Sequence, residues 1–255
     1  YTLLDNDGNE VSSTPAYAED GTTPIGTFSI DPATGKVTFT PTDKSYTGKV
    51  TPAKVQAESS NGIKVDTTYT PEIVPVTPTA APAETTDIQG ATQTGKPEFK
   101  GGTVTIDGVK KTVEINDAVP ATFDDGTTKK TVEGVGTFTV AADGTVTFVP
   151  EKSYVGTAPA VTVVREDKNG TKASAAYTPT VTPVTPTATP AESVAPQGVV
   201  QTGTVTFTEG DPVAPIDKDT ITLLDENGKP AASVDAKSPD GKVIGTFTVD
   251  KKQVL

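Results

Sequence analysis

The chain has no cysteine, no histidine, no methionine and no tryptophan in 255 residues. Without thiols there are no disulfide staples, and without thiols or imidazoles the Cys/His zinc sites and the usual nucleophile–imidazole pairs are excluded. Arginine occurs once, at Arg165, and the formal net charge is −12. A nucleic-acid partner would need a basic face that releases counterions, and the sequence offers none. An anionic membrane surface is disfavoured for the same reason. No apolar run approaches the length of a membrane-spanning helix or a signal peptide, so membrane insertion is not expected. Aromatic residues make up 5% and hydrophobic residues 33%. Any core must therefore be thin, built from Val, Ile, Leu and a few Phe and Tyr. With no cofactor motif in sight, no cofactor is expected.

What the chain does have is 22 Pro, 23 Gly and a repeat. Lys44-Ser45-Tyr46-Thr47-Gly48 returns 108 positions on as Lys152-Ser153-Tyr154-Val155-Gly156. Val76-Thr77-Pro78-Thr79-Ala80 returns as Val184-Thr185-Pro186-Thr187-Ala188, again 108 on. Ile25-Gly26-Thr27-Phe28 appears again as Val135-Gly136-Thr137-Phe138 and as Ile244-Gly245-Thr246-Phe247. So long a period suits independent domains in a row rather than the coils of a solenoid. Residues 1–76 read as a first repeat domain that lacks its N-terminal part, 77–91 as a linker and 92–184 as a complete repeat domain. Residues 185–199 then read as a second linker, and 200–255 as a third repeat that lacks its C-terminal part.

Within the complete repeat, apolar and Thr positions alternate at Thr103–Ile106, Thr137–Val140 and Thr145–Phe148. Period two with β-branched residues is the pattern of half-buried antiparallel strands. Ala141-Ala142-Asp143-Gly144 and Lys168-Asn169-Gly170 are hairpin signals, and Ser60-Asn61-Gly62 is the counterpart of the latter. The expected fold class is all-β: tandem Ig-like β-sandwich repeats joined by Thr/Pro-rich linkers. Thr-Pro spacing in the linkers predicts stiff, extended polyproline II spacers.

The stretch 204–215, Thr-Val-Thr-Phe-Thr-Glu-Gly-Asp-Pro-Val-Ala-Pro, leads to Thr220-Ile221-Thr222-Leu223-Leu224-Asp225. With Gly-Thr-Phe-Thr-Val, Val37-Thr38-Phe39-Thr40-Pro41, Tyr177-Thr178-Pro179 and the Thr-Pro segments, it resembles the CshA-type fibril repeat of streptococcal cell-wall-anchored surface adhesins. The likeness covers nearly the whole chain and departs from the family wording at 109–130. It implies an extracellular protein anchored to a bacterial cell wall. It also implies that neighbouring repeats of the same chain pack in series as a stalk. A tip region outside this sequence would then grip host matrix such as fibronectin.

Candidate sites compete with plainer roles. Asp5-Asn6-Asp7-Gly8-Asn9 places oxygen ligands Asp5 and Asp7 at alternate positions, as a calcium loop does, but lacks the downstream bidentate Glu. Asp and Asn before Gly are also what a hairpin turn requires. Lys44 and Lys152 could enter an isopeptide crosslink, though a solvated turn suits them better. Tyr46 and Tyr154 read as core or corner residues whose hydroxyls bond a loop backbone, with a ligand platform as the alternative. Asn169-Gly170-Thr171 matches a glycosylation sequon but is also a default hairpin turn. Phe28, Phe39, Phe138, Phe148 and Phe247 are the expected core. The resulting expectation is a non-enzymatic stalk in which hydrogen bonds between each unit's terminal strands carry tension. The competing expectation is a repeated module that itself binds matrix, carbohydrate or neighbouring fibrils.

Overall fold

Nine Asp-Gly or Asn-Gly pairs punctuate the sequence, and in each the glycine takes a positive φ, between +74° and +89°. Only glycine reaches that region without strain. Eight of the nine close a hairpin between the strands on either side. The ninth, Asp125-Gly126, instead sends the chain from one sheet to the other, since its flanking strands pair with different partners. Local turn chemistry thus sets most of the topology. The structure is a computed structural model, and it describes residues 1–250.

The complete repeat contains thirteen strands. They are β1 (Thr79–Ala81), β2 (Ala83–Ile88), β3 (Gln93–Gly95), β4 (Glu98–Lys100), β5 (Gly102–Ile106), β6 (Val109–Val113) and β7 (Thr122–Phe123). There follow β8 (Lys129–Val132), β9 (Gly136–Val140), β10 (Val146–Pro150), β11 (Gly156–Thr157), β12 (Val161–Glu166) and β13 (Lys172–Thr182). One sheet runs β2-β13-β12-β7, with β11 also on β13; the other runs β3-β10-β9-β8. β1-β4 and β5-β6 are separate two-stranded ribbons, and Phe99 on β4 packs against the core. The inner faces meet in one core holding Phe123, Phe138, Phe148, Val146, Val163, Tyr177 and Val181. Phe138 and Phe148 are direct cross-strand partners with ring centroids 4.5 Å apart. Tyr177 meets Phe138 edge-on at 6.5 Å. The fold is the expected tandem all-β sandwich.

Pro179 sits inside the long strand β13, where a missing N–H would normally break a ladder. Its place is the gap between two ladders. Pairing with β12 ends at Val161–Tyr177 and pairing with β11 begins at Thr157–Thr180. The Pro179 carbonyl accepts from Ala158 N–H at 2.9 Å, so the acceptor is still used.

The first repeat has the same plan. Glu10–Val11, Thr2–Leu4, Ala53–Glu58 and Lys64–Tyr69 form one sheet, and Ser13–Tyr17, Pro24–Ile30 and Val37–Pro41 the other. Its core gathers Leu3, Ile25, Phe28, Ile30, Val50 and Val55. In the third repeat the hairpins 223–231 and 233–248 form, yet no residue from 183 to 250 is buried.

Of the two segments expected as linkers, 77–91 requires correction and 185–199 does so at Thr187–Thr189 only. Residues 77–91 contain β1 and β2. β1 pairs with β4, and β2 runs parallel to β13 from Ala83–Tyr177 to Ile88–Thr182. The alternate Thr and Ala positions let this segment act as an edge strand as readily as a free polyproline helix, and docking against β13 satisfies its backbone groups. Residues 185–199 contain Thr187–Thr189, which pairs with Thr206–Thr208 in the register β1 uses with β4, 108 positions later.

Candidate functional site

The most heavily built polar feature lies where β2, β3 and β13 meet. Among the described residues only two polar side chains are buried, Gln93 at 3% exposure and Asp167 at 0%. Gln93 stands on β3 opposite Phe148 and reaches across to the other sheet. Its Nε2 donates to the Thr180 carbonyl at 2.9 Å, and its Oε1 accepts from Thr85 Oγ1 at 2.6 Å. Thr85 Oγ1 is also 2.7 Å from the Tyr177 hydroxyl. The single Thr85 proton goes to Gln93, so Tyr177 must donate to Thr85. The triad therefore satisfies every group it buries, as a polar cluster in a core must. Burial pushes the Tyr177 phenol above its ordinary 10.0, and the Thr85 bond draws it partly back.

Gly95 makes room for the triad. A Cβ there would fall 2.2 Å from Tyr177 Cε2 and 3.2 Å from Thr85 Cγ2. At the far end of β2, Gln89 N–H donates to the Thr182 carbonyl at 2.8 Å, and Thr182 Oγ1 donates to the Asp87 carbonyl at 3.1 Å. Gln89 Nε2 donates to the Lys152 carbonyl at 3.0 Å, and Gln89 Oε1 accepts from Val184 N–H at 3.4 Å. β13 is thus tied to β2 at both ends.

The acidic turns are occupied by their own backbones. Asp5 Oδ1 accepts from Asp7 N–H and Asn9 N–H at 2.9 and 2.8 Å, and Oδ2 accepts from Asn9 Nδ2 at 3.1 Å. These bonds, led by the one from Asn9 N–H, hold the Asp5 carboxyl below its ordinary 3.8. Asp7 contributes only its backbone N–H to this arrangement, so the loop is built as a hairpin turn. Among the described residues no cluster of three or more His, Cys, Asp or Glu could hold a metal ion. Asp167 makes the same turn: its Oδ1 accepts from Asn169 N–H and Thr171 N–H at 2.8 and 2.9 Å. Asn169 therefore sits in the hairpin turn that competed with the sequon reading.

The other expected residues divide by repeat. Phe28, Phe138 and Phe148 are buried at 1%, 0% and 0%. Phe39 is half-buried beside Phe28, 5.5 Å between centroids. Its counterpart Phe148 is covered because β3 pairs with β10, and among the described residues no strand occupies that edge of Val37–Pro41. Phe247 is not a core residue here. It is 59% exposed on a two-stranded sheet that no other described sheet covers. Tyr46 and Tyr154 each pack, half-buried, at the margin of a core. The Tyr46 hydroxyl donates to the Lys49 carbonyl at 2.6 Å and accepts from Glu19 N–H at 3.2 Å. Lys44 and Lys152 are exposed. Two surface recesses lie in the first repeat, and neither is lined by Tyr46 or Tyr154.

Sequence reasoning missed Thr85 and Gln89, because the Thr-Pro wording nearby points to a spacer, and Gln93, because no local pattern marks it as buried. One signal was available: Gln89-Gly90 recurs 108 positions on as Gln197-Gly198.

These features define a class: tandem β-sandwich repeats in which the segment between units is built into the next unit. The chain belongs to the family described as the surface adhesin CshA repetitive domain, whose profile matches residues 1–73, 75–181 and 183–255. A solved relative is the NMR structure of repeat domain 13 of the fibrillar adhesin CshA from Streptococcus gordonii. It is 52% identical over 26% of this chain and 86% of that one, with a TM-score of 0.17. No curated protein matches the chain.

Proposed function

We propose that this chain is a section of the stalk of a fibrillar adhesin, in which serial repeats hold an adhesive tip away from a bacterial cell wall. The observation that carries this reading is the ordered junction. The ribbon β1-β4 and its counterpart Thr187–Thr189 with Thr206–Thr208 take up the segment between repeats in the same register. The backbones at Thr77 and Gly102 approach so closely that a Cβ on Gly102 would lie 2.5 Å from the Thr77 carbonyl; Gly210 stands 2.7 Å from Thr185 in the same way. Reach is then set by folded units rather than by loose chain, and it scales with their number.

The exposed aromatics also favour a stalk over a repeated binding module. Tyr69, Phe207 and Phe247 are exposed, but their counterparts in the complete repeat, Tyr177, Phe99 and Phe138, are buried in its core or packed against it. Among the described residues the exposed aromatics, Tyr1 included, do not form one recurring face, and the recurring pair Tyr46 and Tyr154 is half-buried at the margins of the cores, which supports the stalk reading. On this reading the repeats have no catalytic role, the parent protein is wall-anchored, and contact with host matrix such as fibronectin belongs to a tip beyond this sequence. Deleting one repeat from the parent is expected to shorten the fibril and leave tip affinity unchanged. Saturable micromolar or tighter binding of fibronectin by an isolated repeat, lost on changing its surface residues, would overturn the stalk reading in favour of a binding module.

A further inference from the structure

If the chain is a stalk, tension reaches each sandwich along β2 and leaves along β13. These two strands are neighbours, and they are parallel. Force on the N-terminal side draws β2 toward its Ala83 end, while force on the C-terminal side draws β13 toward its Thr182 end. Ala83 lies opposite Tyr177 and Ile88 opposite Thr182, so the two pulls act at opposite ends of one ladder. The load then runs along the strands and is shared by the whole ladder at once. Antiparallel terminal strands would be pulled from the same end and would open one bond at a time.

We infer that the β2–β13 pair is a shear clamp that sets the mechanical strength of each repeat; this inference rests on the stalk reading. The surroundings of the pair suit the task. At the Ala83 end, Thr85, Gln93 and Tyr177 bond to one another in the interior, with Gln93 3% and Tyr177 0% exposed. Water cannot readily replace a ladder bond there as it stretches. At the Thr182 end, Gln89 bonds to Thr182, to Lys152 and to Val184, the residue through which tension passes to the next repeat. The short ribbon β1-β4 lies ahead of the clamp on the load path and can peel without releasing it. Docking of β2 also covers the edge of β13, so that β2 becomes the edge of the sheet.

The test keeps the protein constant and changes only the direction of pull. The chain has no cysteine, so handles can be attached at unique introduced thiols. Pro75→Cys with Thr185→Cys loads the complete repeat in shear. Thr92→Cys with Thr185→Cys pulls β2 and β13 from the same end. Pro75, Thr92 and Thr185 are all exposed. Single-molecule stretching of the full chain should show a rupture force several-fold higher in the first geometry. Forced unfolding reads the barrier rather than the equilibrium, so equal thermal stability of the two double variants is the control. Shear rupture should release on the order of 35 nm of chain, at roughly 3.6 Å per extended residue. In the shear geometry, Thr85→Val should lower the force, and by more than it does in the one-ended geometry. Equal forces in the two geometries would sink the clamp and leave the stalk reading intact, because fibril length and matrix affinity test the stalk separately.

Discussion

At the residue scale, the core aromatics carry the largest single costs. Phe138 and Phe148 are fully buried and stacked on each other, so truncation of either to Ala should destabilise the complete repeat by about 3–5 kcal/mol. Phe247→Ala in this chain should cost less than about 1 kcal/mol, because an exposed ring leaves no cavity. Chemical denaturation of the three variants reads the difference directly. Gly136 belongs with the aromatics, since an added Cβ would sit 2.4 Å from the Val149 carbonyl and 2.8 Å from the Phe148 ring. Gly136→Ala is therefore expected to cost about 1–3 kcal/mol or more, as overpacking does. The alternation around Phe138 and Phe148 was legible in the sequence because period two and a shared hairpin fix which side chains face inward. Burial of Phe39 and Phe247 was not legible, because it depends on a covering strand that the local pattern does not contain.

The turns also give the molecule its acid sensitivity. Asp20 is held down to about 2 from its ordinary 3.8, chiefly by the Thr23 hydroxyl and then by Thr23 and Thr22 N–H. Asp31, Asp43, Asp125 and Asp240 are lowered in the same manner by their own turns. The Lys96 ammonium, with the Thr145 bonds second, holds Asp143 well below the usual carboxylate range. A depressed carboxyl contributes stability that is present above its unfolded value and lost as the pH falls through its folded one. Melting temperature should accordingly drop between about pH 4 and pH 2 and stay nearly level from about pH 5 to pH 8, where histidine would titrate if there were any. Steep change between pH 5 and pH 8 would mean that some other group controls the fold.

At the element scale, hairpins were easy to foresee and the terminal strands were not. Asp-Gly and Asn-Gly announce a turn within four residues. The pairing of β2 with β13 joins positions 94 apart, such as Ala83 and Tyr177, and leaves no local trace beyond alternating Thr. Thr-Pro wording pointed to a spacer, and tertiary pairing overrode it. The consequence can be measured with a glutamate-specific protease. Glu84 lies inside β2, whereas Glu192 lies outside any strand in an exposed stretch that includes Val194 at 99% exposure. Cleavage should occur at Glu192 well before Glu84, since attack requires an extended segment free of the sheet. The reverse order would mean that β2 is not docked.

At the scale of the whole molecule, the period was the most readable feature and the junction the least. The 108-residue repeat is plain in the sequence and returns in the structure as identical registers at both junctions. How the units connect depended on close backbone approaches at Gly102 and Gly210, which have no sequence signature beyond a glycine.

The pairing of first strand with last also bears on the order of events when the chain is made. A polypeptide threaded N-terminus first through a pore or an exit tunnel presents β2 some ninety residues before the strand that will hold it. Until β13 is out, β2 has an unpaired edge and Tyr177, the hydroxyl partner of Thr85 in the buried triad, is missing. The sheet that β2 joins must therefore remain open during most of the passage of the complete repeat and close as its final dozen residues arrive, a late step of high contact order. Such a chain stays threadable along nearly the whole length of a repeat, and it becomes strong only when that repeat is complete.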